Sequence, residues 1–95
     1  MKVIRLDASS WRSPEDFYSA VLPQLGAPAW HGQNLDALYD SLAGGEINAV
    51  APPFTVEVED ADKLPEPMRH FLTKVERVFA DARTEAHENI EFLLS

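Results

Sequence analysis

The sequence predicts an α/β fold: a three-stranded parallel sheet with helices packed mainly on one face. The first observation is that segments 2–7, 54–59 and 89–94 have strand character, and helical patterning separates each from the next. Strands joined through helices make parallel crossovers, right-handed by default. The second is the strict alternation of Phe54, Val56 and Val58 with Thr55, Glu57 and Glu59, which gives the middle strand one wet face. A sheet covered on both faces would be apolar on both.

The elements follow in order. Residues 2–7 (KVIRLD) are short, β-branched and apolar, bounded by Ser9 and Ser10. Ser13-Pro14-Glu15-Asp16 opens a helix: Ser13 suits the cap, Pro14 the first helical position, and the acids the positive end of the dipole. Phe17, Val21 and Leu25, with Tyr18 and Leu22 beside them, form its apolar face. Pro23 falls inside this pattern and is expected to kink or end the helix. Gly26, Pro28 and Gly32 mark a turn region. Asn34 then caps a second helix whose face is Leu35, Leu38, Tyr39 and Leu42, stopped by Gly44-Gly45. Residues 46–53 form an irregular loop ending in Pro52-Pro53. Pro65 and Pro67 open the longest helix, with a stripe of Met68, Phe71, Leu72, Val75, Val78, Phe79 and Ala82. The run NIEFLL, 89–94, closes the chain as a strand.

Composition removes several function classes. With 95 residues the chain suits one globular domain, 1–95. Sixteen Asp and Glu against eight Lys and Arg give a net charge of −8. Direct binding of nucleic acid needs a basic face, and so does docking on an anionic membrane. No apolar run is long enough to span a bilayer, and Arg5 and Asp7 interrupt the opening segment where a signal peptide would need an apolar core. The location expected is therefore cytoplasmic. There is no cysteine, which excludes disulfides, thiolate metal sites and cysteine nucleophiles. Between Ser13 and Asp62 no Lys or Arg occurs, while that stretch holds nine acids. A one-signed segment either solubilises the surface or steers a basic partner.

Chemistry concentrates at the second helix. Asp36 and Asp40 stand four residues apart, on the side away from the leucine stripe, with Tyr39 at the boundary between the faces. Asp36 can be explained as a first-turn acid, and Asp40 as an ordinary solvated one. Trp30, in the preceding loop, suits either an interface or a cap over the core. His31 with Asp36 and Asp40 is a conceivable acid/base or metal set, though no HxxxH spacing or phosphate loop supports a hydrolase. On the long helix Asp81 and Glu85 share a face, and Arg77 precedes Asp81 by four residues, the spacing of a surface ion pair.

The segment from Trp30 to Leu42 (WHGQNLDALYDSL) resembles the barstar family of ribonuclease inhibitors. The family pattern is aromatic, any residue, Gly, any residue, Asn-Leu-Asp-Ala-Leu, aromatic, Asp, any residue, Leu. The similarity runs on through the opening strand, the stretch Phe79–Glu85 and the closing Leu94-Ser95. It implies a barstar-like fold without cofactor or metal, a monomer when free, and no enzymatic activity. It further implies a partner: a basic extracellular ribonuclease of the barnase type, or a related toxin. Asp40 would enter the enzyme's phosphate site as a phosphate mimic, and Asp36 would lie near the guanine-recognition loop. Trp30, Asn34, Tyr39 and Gly44 would surround them, and Asp81, matching a family Glu, would add a peripheral ion pair. The resemblance also implies a cis proline before the second strand, at Pro53. The sequence departs from the family's best-known member in having Tyr39 in place of Trp, Gly44-Gly45-Glu46 in place of an aromatic and an acid, and a longer loop to the second strand. An immunity-type module of the same fold with a different basic toxin as target is the alternative.

Overall fold

A computed structural model describes residues 2–28, 31–44, 48 and 50–95. The order is β1 (Lys2–Asp7), α1 (Pro14–Leu25), α2 (Leu35–Gly44), β2 (Phe54–Glu59), a 3-10 turn (Ala61–Lys63), α3 (Glu66–Glu85) and β3 (Ile90–Leu94). The three strands are parallel in one sheet, with β2 between β1 and β3. Its two faces separate by register. Ile4, Val56 and Phe92 form one row across the sheet, and all are buried. Val3, Thr55 and Glu91 form the next row on the opposite face, which the helices leave open. Val3 and Leu93, both on that face, are each 47% exposed.

The core gathers around Phe17, which is fully buried. Trp11, Tyr18, Phe71 and Phe92 each meet its ring edge to face, with centroids 5.3 to 6.2 Å apart. This is the geometry that ring quadrupoles favour. The face predicted for α1 is buried throughout: Phe17, Tyr18, Val21, Leu22 and Leu25. On α3, Met68, Leu72, Val75, Phe79 and Ala82 are buried, with Phe71 and Val78 packed at the margin. Each fully buried Val, Leu, Phe or Met side chain among these stabilises the fold by about 1.5–3 kcal/mol. Trp11 lies in a loop, outside any period, and joins this core all the same.

Some expectations are corrected. Helix α1 runs through Pro23 to Leu25 before stopping at Gly26, whose φ of 70° is left-handed. Pro23 lacks the N–H that would bond the Ser19 carbonyl, and the helix ends two residues beyond it. Gly26 and Ala27 return their N–H groups to Pro23 and Leu22. Thr55, expected on the wet face, is only 5% exposed. It sits on the central strand, between Val3 and Glu91, and is covered from both sides. The closing strand starts at Ile90 rather than Asn89. The peptide bond between Pro52 and Pro53 is cis, immediately before β2.

Candidate functional site

Helix α2 presents the site because its sequence fixes both where it starts and which side it buries. The Asn34 Oδ1 accepts the Ala37 N–H at 2.7 Å, satisfying a donor that the first turn would leave free. Gly32 leaves the cap its room. A Cβ there would lie 3.1 Å from the Asn34 amide nitrogen and 3.2 Å from the Ala37 methyl. Leu38 and Leu42 are buried against the core, and Leu35 and Tyr39 pack partly against it. Ser41 is also buried, and its hydroxyl donates to the Leu38 carbonyl at 3.0 Å.

The opposite side carries Asp36 and Asp40, both exposed. Two ion pairs occur among the described residues, Lys63–Asp60 and Arg77–Asp81, and neither involves Asp36 or Asp40. Two like charges one turn apart oppose helix formation. Asp36 gains from the first-turn dipole, whereas Asp40 in mid-helix does not.

Helix α3 packs beside α2 and supplies more carboxylates. The Tyr39 hydroxyl donates to the Glu85 Oε1 at 2.9 Å. That bond, together with partial burial and the charges of Glu85, Asp81 and Asp40, raises the phenol pKa above its ordinary value. Asp81 accepts from the Arg77 Nε at 3.1 Å, the surface pair that the spacing suggested. The charges of Asp40, Asp81 and Glu85 therefore all act on the Tyr39 hydroxyl, with Asp36 one turn from Asp40 on α2.

Of the residues named from the sequence, Asn34, Asp36, Tyr39, Asp40 and Gly44 share α2 or its cap. Asp81 joins them from α3. Gly44 is the last residue of α2 and is exposed, and a Cβ added to it would meet open space. Trp30 lies outside the described residues. His31 is engaged otherwise than in the set considered above. Its Nδ1 lies 2.7 Å from the Gly32 carbonyl, and it lines a groove of about 470 Å³ with Tyr18, Leu22 and Pro28. Among the described residues no group of three or more His, Asp or Glu stands close enough to hold a metal ion. Glu85 is the residue the sequence reading missed. Its spacing of four from Asp81 placed it on the right face, but nothing in the sequence linked that face to Tyr39.

Fold and face together define an α/β protein that carries an acidic helix beside a one-sided parallel sheet. The family model for Barstar (barnase inhibitor) matches residues 1–95, and the chain belongs to that family. Members of this family are inhibitors, not enzymes. No helix among the described residues is long and apolar enough to cross a membrane.

Proposed function

We propose that this protein inhibits a basic secreted microbial ribonuclease by placing α2 in its active site, where Asp40 stands in for substrate phosphate. The carrying observation is that Asp36 and Asp40 are exposed on one helix face with no cation paired to either among the described residues. A ribonuclease site is cationic because it holds RNA phosphate, and carboxylates set at fixed spacing match such a site. In this reading Asp36 meets the neighbouring base-recognition loop. Trp30, Asn34, Tyr39 and Gly44 form the surrounding contact, and Asp81 adds a pair at the rim. The unit is residues 1–95, acting as a cytoplasmic monomer that needs no cofactor and protects the cell that makes the enzyme. The second reading, immunity against a different basic toxin, is favoured by the sequence Gly44-Gly45-Glu46, where the family's best-known member has an aromatic and an acid.

The test is RNA cleavage by a barnase-type ribonuclease with the protein titrated in, and Asp40→Ala run beside it. Stoichiometric inhibition is expected for the wild type. Asp40→Ala should weaken binding by about 2–5 kcal/mol, the usual cost of removing one partner of a buried ion pair. Its melting temperature should hold, because the side chain is exposed in the free protein. Full affinity in Asp40→Ala would refute the role given to it. No inhibition by the wild type would move the search to another basic toxin.

A further inference from the structure

We infer that Glu85 is a positioning residue of the partner-binding face: it fixes the Tyr39 ring and supports binding through that ring, without touching the partner. The inference takes its partner from the inhibitor reading above. The tie between the two residues is a property of the free protein.

The Tyr39–Glu85 hydrogen bond spans 46 positions of sequence and joins the middle of α2 to the last turn of α3. Tyr39 is held at both ends. Its ring packs against the core, and its hydroxyl is taken by Glu85. Asp40 follows it on α2, and the charge of that carboxylate acts on the same hydroxyl. A ring ordered before the partner arrives loses no rotamer freedom on binding.

Glu85 has no local reason to be acidic. It lies in the last turn of α3, the negative end of the dipole, and four residues after Asp81. Both placements oppose helix stability. Among the described residues Glu85 has no Lys or Arg paired with it: Arg77 pairs with Asp81, and Arg83, the nearest cation in sequence, donates to the Ile90 carbonyl. What it does have is the Tyr39 proton. A carboxylate oxygen is a stronger acceptor than a neutral one. The hydroxyl is also the group on which the charges of Asp40, Asp81 and Glu85 converge. Glu85 draws the O–H dipole toward itself and so sets its direction among them.

Two measurements test this. In the first, association and dissociation with a barnase-type ribonuclease are followed for wild type, Tyr39→Phe, Glu85→Ala, Glu85→Gln and the double variant Tyr39→Phe/Glu85→Ala. A ring no longer held by this bond must be ordered on binding, which should raise Kd about fivefold in Tyr39→Phe and in Glu85→Ala, mainly through faster dissociation. The double variant should be no weaker than either single one. Glu85→Gln keeps an acceptor and should recover most of the loss. Losses that multiply in the double variant would overturn the inference, because Glu85 would then act on the partner directly. The second measurement is alkaline titration of the phenols in the free protein. Glu85→Ala should lower the Tyr39 pKa and leave Tyr18, pushed up to about 12 by burial, where it is. An unmoved Tyr39 would overturn the tie. A wild type that fails to bind the enzyme would refute the ribonuclease reading instead, and the titration would still decide the tie.

Discussion

Two glycines bracket the acidic helix and illustrate how one residue type does different work. Gly32 faces the cap, where a methyl would press on the Asn34 amide and the Ala37 methyl at 3.1 and 3.2 Å. Gly44 ends the helix in open space. Gly32→Ala should therefore destabilise the fold by about 1 kcal/mol, the low end of overpacking costs, by displacing Asn34 from its bond. Gly44→Ala removes backbone freedom from the unfolded chain without meeting a neighbour. It should be neutral or stabilise by up to about 1 kcal/mol. Thermal unfolding of the two variants side by side separates these expectations, and equal melting temperatures would contradict the close approach at Gly32. Gly44→Ala also probes the proposed partner face, because any loss of affinity in a protein that melts no lower reports contact at that position.

At the scale of the element, α2 stands on its cap as much as on its leucines. A ten-residue helix is marginal by propensity alone, and its stability comes from Leu38 and Leu42 in the core and from Asn34 at the start. Asn34→Ala should cost about 1 kcal/mol in urea unfolding at unchanged m-value. Stability equal to wild type would show the Asn34–Ala37 bond to be dispensable. The cap and the leucine stripe were legible in the sequence because both are local: a side chain bonding three residues on, and a period of 3.6. The three strands were legible for the same reason, and so was the Arg77–Asp81 pair. What escaped was non-local. Thr55 is buried by strands that lie far from it in sequence, and Trp11 by ring contacts from α1. Pro23 gave up one ladder bond, and the helix still ran two residues further to the buried Leu25. The Tyr39–Glu85 bond escaped because it depends on how α3 lies against α2, which no pattern within either helix encodes.

At the scale of the whole molecule the charges form a field with a direction. The net charge is −8, yet five of the eight Lys and Arg lie between Lys63 and Arg83. The uninterrupted acidic stretch, in contrast, includes all of α2. The molecule measures 33 × 25 × 22 Å. The screening length is about 30 Å at 0.01 M salt and about 10 Å at 0.1 M. On the proposed inhibitor reading, a basic ribonuclease approaching α2 at low salt is thus attracted by acids across the whole molecule, and at higher salt only by those near the helix. Association should slow steeply as salt rises from about 0.01 to about 0.1 M, while dissociation changes little, because steering acts on encounter. Two variants resolve the distances involved. Glu59 is exposed at the end of β2, on the face the helices leave open, so it stands for the distant field. Glu59→Gln should slow association at low salt and match wild type once salt screens the far charges. Asp36→Asn, on the helix itself, should remain slower at every salt concentration. Stopped-flow association across the salt series checks all three curves. A rate independent of salt, or a Glu59→Gln deficit that persists at high salt, would show that the acidic stretch does not act as a steering field.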